Sequence, residues 1–586
     1  MNRRSDDHAE YNVSSAHREA TQHRKPGPWL PRTAALLVFL AGALGLQAGP
    51  FAPPAGQPGS AAIAYNSPVF RAWATGYTEI VRGPMQISNP GGGQASFGLA
   101  ANALGAASND VYAVVSLGDG GRMTLTFANP ILNGPGYDFA VFENSFNDTF
   151  LEIGFVEVSS DGTNFHRFAA VSVVQTDTQI GGFGSVDTTE IHNFAGKYRV
   201  GFGTPFDLEE LSGRPGLDLN AITHVRVVDA VGCIQDAYAT YDSTGRKVND
   251  PWPTPFAQSG FDLDGVGVIH QAGQTASFTG TNGWRAEVYY TNPHLPTAPL
   301  VSFDWDATGM LFYTTGDEHW GMNHAAYRFV GISPEAIYTT SDRFAGASMT
   351  VIGDYAYYNN SDRYNNQYIR KYGPLNGTPV ESAVSSTANY SLHGHNGALF
   401  ISGADASWQA YIYYSGLNAS GDLVNDPAVI ISVPLPNASG PIAFDADGNM
   451  YYADGYAYSG DPGIYKWTAA EVAAAVANPS SSPLNPSGHL WATITGGFAG
   501  ATGMAVAPEG LILTATSFTA PSQVQCYTIA PDGTNSGMTV IATTPNRAET
   551  VRVRGGSVYV SDPAGIARLF RAPAPQRPRG TIIMIR

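Results

Sequence analysis

Cysteine is almost absent from this chain: 586 residues carry only Cys233 and Cys526. Two thiols cannot assemble a zinc cluster or a disulfide framework, and their wide separation predicts two unpaired, buried side chains. Charge is scarce as well. Asp, Glu, Lys and Arg make up 13% of the chain, against a usual share of about 25%. Lysine is reduced to Lys25, Lys197, Lys247, Lys371 and Lys466, and the formal net charge is −17. An acidic body without a basic stripe argues against nucleic acid as a partner. Long helical patterns are also missing. After residue 48 no apolar run approaches the roughly 20 residues of a membrane-spanning helix, so no integral span is expected beyond an N-terminal anchor.

In their place the chain holds 66 glycines, 39 prolines and 11% aromatic residues. With 43% hydrophobic residues it escapes global disorder. Many short strands joined by tight turns are expected, and the fold class reads as all-β. Residues 33–48, TAALLVFLAGALGLQA, form an uncharged apolar run preceded by Arg24, Lys25 and Arg32. Candidate cleavage sites are Ala41-Gly42-Ala43 and Leu46-Gln47-Ala48. Residues 1–48 therefore read as a signal peptide or, if uncleaved, a signal anchor. The body is expected outside the cytoplasm, secreted or at the cell surface. Residues 49–67, rich in Pro, Gly and Ala, read as a linker, and residues 573–586 as a C-terminal tail.

Residues 68–272 alternate short strand patterns with turn signals. Strands are expected at 111–117, 122–127, 139–142, 153–159, 165–168, 222–229 and 265–270. Asp161-Gly162 marks a hairpin, and RMTLTF (122–127) shows the alternation of a half-buried strand. Close spacing without helices predicts an antiparallel β-sandwich, jelly-roll-like. The blocks VVSLGDGGRMTLTFANPILNGPGYDFAVFEN, FLEIGFVEVSSDGTNFHRF, AGKYRVGFGTPFDLEEL, ITHVRVVDAVG and NDPWPTPFAQSGFDLDGVGVI follow one another here. The series, with its FEN and FDLD blocks, resembles a family of exported bacterial cell-surface modules with a β-sandwich body. The resemblance covers about a third of the chain and implies export and binding rather than any particular chemistry.

Acidic residues gather in the turn blocks of this region. Glu143 and Asn144 end a strand, Asp242 and Asp250 bracket a loop, and Asp262 and Asp264 stand two apart on one strand face. Calcium takes six to eight oxygen ligands and is expected here as a structural cation, with these six residues as candidate ligands. The competing reading is that they are turn formers and strand-end caps.

Residues 275–572 carry a loose repeat of apolar strand, Gly- or Asp-containing turn and aromatic strand. Its turn glycines fall at 309, 353, 397, 448, 510 and 556. A period in the forties is that of a four-stranded blade, and a six- or seven-bladed β-propeller is expected. Residues 284–291 (WRAEVYYT) are expected to close the last blade, and residues 468–477 to form a helical insertion in the longest repeat. The pattern resembles the strand–DG–strand repeats of lactonase-like and NHL-like propellers.

Catalytic signals are thin. Asp304, Asp306, Asp445 and Asp447 read as hairpin-turn residues. His319 and His324 do not form H-E-x-x-H, and there is neither a G-x-S-x-G elbow nor a P-loop. His393 and His395 share a strand face. Aromatic density suggests ring-stacking surfaces, with Trp305, Trp320 and Trp408 joining His393 and His395 as candidate ligand-binding residues. The expected function is an exported, non-catalytic binding protein of the cell surface, with a glycan, another small extracellular ligand or an envelope protein as partner. Corrinoid (vitamin B12) capture, a propeller hydrolase or lyase, and a structural or adhesive surface protein are the alternatives.

Overall fold

Strand Ile222–Asp229 shows how the sequence builds the first half of the molecule. Its two-residue period sends Val225 and Val227 to one side, where they meet Leu125 and Met123 on one neighbour and Val158 and Val156 on the other. This three-strand apolar band is fully buried. It belongs to an antiparallel sheet of Gly76–Val81, Arg122–Ile131, Ile222–Asp229, Gly154–Ser159 and His166–Arg167. A second sheet, ordered Ile63–Ala64, Phe202–Phe206, Phe139–Glu143, Asp262–Val268 and Ala72–Trp73, covers it with Phe139, Val141, Phe206, Val266 and Val268. Each such aliphatic or phenyl side chain contributes about 1.5–3 kcal/mol by leaving water.

The computed structural model describes residues 49–571 except 317–323, 341–347, 362–366, 386–389, 406, 408 and 518–520. Residues 49–67 are not a free linker. Ile63–Ala64 is an edge strand on Phe202–Phe206, Ala55 is buried, and the Phe51 amide donates to the Thr189 carbonyl. Their Pro and Gly shape turns that follow the sandwich surface. The strand expected at 111–117 shrinks to Val115–Ser116, because residues 111–113 turn.

Among the described residues the second half forms a six-bladed propeller. Four sheets run in chain order: Leu300–Trp305 to Ser333–Thr340, Met349–Ile352 to Val380–Ser385, Ser391–His395 to Ala428–Val429, and Ile442–Phe444 to Leu490–Thr493. The fifth, Gly500–Ala507 to Asn535–Thr544, gains Thr279–Gly280 as an extra edge. The sixth takes three strands from the C-terminal end and its outer strand, Trp284–Thr291, from before the first blade. That pairing closes the ring. All six turn glycines have positive φ, from 56° to 141°, a region that side-chain-bearing residues rarely enter. Helix Ala469–Ala477 sits in the fourth blade, with Thr468 and Glu471 forming a reciprocal capping box.

Hydroxyls staple adjacent blades near the axis. Ser302 Oγ accepts from the Met349 amide, Ser348 Oγ from the Leu392 amide, and Ser561 Oγ donates to the Val301 carbonyl. Sandwich and propeller pack directly against each other. The Tyr137 amide donates to the Gly331 carbonyl at 3.0 Å, and Arg554 pairs with Glu209 at 2.7 Å.

Candidate metal centre

Glu143 ends one sandwich strand and Asp262 begins its neighbour, so strand pairing alone brings them to the same end of the sheet. Glu152 arrives from the loop that crosses to the other sheet, just before Gly154–Ser159. All three side chains are buried, and one oxygen from each lies within 4.8 Å of the others. Oxygens bound to one calcium at 2.3–2.6 Å are at most about 5 Å apart, so the trio matches the span of a single ion.

The hydrogen bonding leaves this charge uncompensated. Glu143 Oε2 accepts from the Ser145 amide at 2.7 Å and from the Ser145 hydroxyl. Its Oε1 is buried without a partner. Asp262 accepts from the Ser116 hydroxyl and, at 3.1 Å, from Asn144 Nδ2. Arg82 bears on Asp262 electrostatically, but its guanidinium donates to the carbonyls of Phe97, Gly98 and Ser116. Burial, with the neighbouring carboxylates, pushes Glu143 and Glu152 well above the usual range. Asp262 is pushed up by burial to about 7.

Three more acids extend the field behind the trio. Asp229 follows Val225 and Val227 inward on the same two-residue period and accepts from the amides of Phe261 and Gly120, both at 2.8 Å. Burial and Asp119 push it up to about 8. Asp119 accepts from Trp252 Nε1 and the Ile87 amide, and Asp250 from the Ile153 amide. A buried carboxylate is tolerated when it is hydrogen-bonded, paired or bound to a metal. The outer three have donors; Glu143 Oε1 does not. Among the described residues this trio is the one group of His, Cys, Asp and Glu close enough to share an ion.

The expected ligand set divides accordingly. Glu143 and Asp262 are brought together. Asn144 lies beside them but turns its amide nitrogen toward Asp262 and the Val111 carbonyl. Asp250 stands behind, in the outer group. Asp264 is spent on the Ser108 amide. Asp242 is a turn residue: Oδ1 accepts from Thr244 and Arg246 and Oδ2 from Ser172, which fills both oxygens. Glu152, Asp119 and Asp229 were not among the expected ligands. Glu152 had a signal, an isolated acid between Leu151 and Ile153 in an otherwise apolar run.

The expected ligand-binding residues do not form one site. Trp305 is buried at the junction of the first and last blades. Its indole donates to Tyr289, and its ring is packed by Tyr289, Tyr559 and Phe303. His393 lines a narrow pocket on the propeller axis with Ser348, Thr502 and Arg552. Burial and the Arg552 charge push it down to about 3. His395 lies flat on Phe444, with centroids 3.9 Å apart. Trp320 and Trp408 lie outside the described residues. Both cysteines are free and buried. A cleft of about 180 Å³ opens at the sandwich–propeller seam, lined by Arg71, Tyr137, His270, Tyr290 and Phe329 among others.

No family model matches the chain and no curated protein matches it. The likeness to exported surface modules therefore rests on the FEN and FDLD blocks alone. Several solved structures are similar over half the chain. The PQQ-bound aldose sugar dehydrogenase of Streptomyces coelicolor covers 50% of this chain and 99% of its own, at 11% identity and a TM-score of 0.32. Virginiamycin B lyase of Staphylococcus aureus, with quinupristin, covers 49% and 99% at 11% identity and 0.31. BamB of Moraxella catarrhalis covers 47% and 84% at 10% identity and 0.27. At such values the six blades are established by the chain's own strand pairing.

Proposed function

We propose that this is an exported, non-catalytic binding protein of the cell surface, in which calcium holds the loop end of a sandwich fastened to a propeller. The observation that carries the reading is the Glu143–Glu152–Asp262 trio with its orphaned Glu143 oxygen. Its burial suits a structural ion better than one that must meet a substrate. The partner is a glycan or other small extracellular ligand, or an envelope protein. The seam cleft offers Arg71 and His270 beside the rings of Tyr137 and Tyr290. At about 180 Å³ it falls below the roughly 300–1,000 Å³ of drug-sized sites. It suits one sugar ring and is too small to enclose a corrinoid.

Calorimetric titration of the full chain tests the reading. Calcium should bind at one site per chain and be lost in Glu143→Gln, and soluble oligosaccharides should then bind the calcium-loaded protein. Absence of calcium binding would remove the structural-ion reading. Calcium binding with no oligosaccharide binding would shift the partner to an envelope protein.

A further inference from the structure

Four phenylalanines stand in a row on the loops of the sandwich. Phe146 and Phe150 come from the loop after Phe139–Glu143, Phe183 from the loop before Asp187, and Phe256 from the loop before Asp262. Successive centroids are 5.7, 6.3 and 5.9 Å apart, with ring planes within 15°, 22° and 17° of each other. Phe183 is 81% exposed and Phe146 60%. A neighbouring loop adds exposed Leu99; it is held to Phe256's loop by the Ser96 and Phe97 amides, which donate to the Ala257 carbonyl. Exposed Tyr112 follows Val111, whose carbonyl accepts from Asn144. Large phenyl rings ordinarily leave water, and a contiguous exposed group of them marks an interaction surface.

The position of the chain's N-terminal side indicates what covers them. The apolar run 33–48 ends one residue before Gly49, whose amide donates to Thr189 Oγ1 at 2.6 Å. The segment carrying Thr189 is tied to the ladder's own loop. The Val186 amide donates to the Thr149 carbonyl, and Thr188 Oγ1 to the Asp148 carbonyl. The described chain thus begins beside the phenylalanine row, directly after the apolar run 33–48 in sequence. Residues 93–113, 142–153, 175–187 and 250–260 contain no Lys or Arg. The cations that reach these loops are engaged, Arg82 by the Phe97 and Gly98 carbonyls and Arg199 by Asp148, so the loops offer insertion of their rings rather than attraction to anionic headgroups.

We propose that Phe146, Phe150, Phe183 and Phe256 dock the sandwich onto a lipid bilayer. The docking is apolar. It needs only phosphatidylcholine and does not depend on salt or anionic lipid. The inference stands apart from the calcium reading and rests on the signal-anchor reading of residues 33–48.

The test uses full-length protein in phosphatidylcholine vesicles, spin-labelled at Phe183→Cys or, as a control, at Tyr458→Cys, an exposed propeller position. The native thiols are buried and do not compete. The label at 183 should be shielded from a water-soluble relaxation reagent and accessible to oxygen, and the label at 458 the reverse. Adding Phe146→Ser and Phe256→Ser should weaken docking at least about tenfold per ring and return position 183 to water. A label at 183 that is as aqueous as the label at 458 would overturn the proposal, even if the protein stays on the vesicles through residues 33–48. Shielding of 183 by a soluble glycan without vesicles would overturn it in favour of a glycan platform.

Discussion

In the propeller, Asp306, Asp405 and Asp445 each accept from backbone amides two and four residues ahead, in exposed or half-exposed turns. Asp532, in the same kind of turn, is held below the usual carboxylate range by its bonds to Thr534. In the sandwich, Asp229, Asp250, Asp262, Glu143 and Glu152 are buried together and all pushed upward. One residue type thus does two kinds of work. Where amides converge on it in water, aspartate shapes a hairpin. Where strand period and pairing carry several carboxylates into one dry layer, their burial first and their mutual repulsion second favour a cation. The propeller's buried polar groups are instead mostly neutral: the tyrosines 313, 357, 358, 451, 452 and 527, and the hydroxyl staples between blades.

The largest expected effect lies in the propeller and is blind to metal. Trp305→Ala should cost about 3–5 kcal/mol, equally in calcium and in chelator, by thermal or denaturant unfolding. Next comes the cation. Removing calcium from a sample held at about 100 times its Kd should cost about 2.7 kcal/mol. Hydrogen exchange should place that loss in the sandwich loops, with the blades unchanged.

One group in each half should respond to pH with opposite sign. Asp207 of the sandwich is pushed up to about 8 by burial and by Asp138. Between its unfolded value near 4 and about 8, the unfolded chain has released a proton that the folded chain keeps. Stability therefore falls as pH rises through that window, and Asp207→Asn should flatten the slope. His393 of the propeller is pushed down to about 3. There the unfolded chain binds the extra proton below about 6.5, so stability falls as pH falls, and His393→Gln should remove that loss. The difference in unfolding stability between wild type and each variant, measured from pH 4 to 8, checks both signs. The smallest effect is local: Thr468→Ala should cost about 1 kcal/mol by removing the helix cap in the fourth blade.

The architecture of the propeller was legible because its signals are local and repeated. Turn glycines at 309 to 556 need positive φ in every blade, and the closing strand 284–291 alternates visibly. The sandwich strands were legible only in part: 122–127, 139–142, 153–159 and 222–229 alternate or run apolar, whereas Gly76–Val81 and Phe202–Phe206 show no such pattern and were not expected. The metal candidate was half legible. Glu143 and Asp262 stand in turn-rich blocks that attract notice, and Asp242 does too, though its oxygens accept from its own turn and from the Ser172 amide. Glu152 sits within an apolar run, and Asp229 ends a strand whose inward parity shows only once the strand is paired. The phenylalanine row was not legible, because its members come from three loops spread over residues 146–256 and only the fold aligns them. Trp305 was misplaced as a ligand residue because aromatic content does not tell a core ring from an exposed one.

Melting of the full chain and of Glu152→Gln, each in calcium and in chelator, tests the central claim. Glutamine keeps the shape and removes one charge. If three carboxylates share a cation, the substitution should lower the melting temperature in calcium, by losing a ligand, and raise it in chelator, by removing the cost of burying an ionisable carboxyl beside two others. A shift of the same sign in both conditions, or a wild-type melting temperature indifferent to calcium, would contradict it.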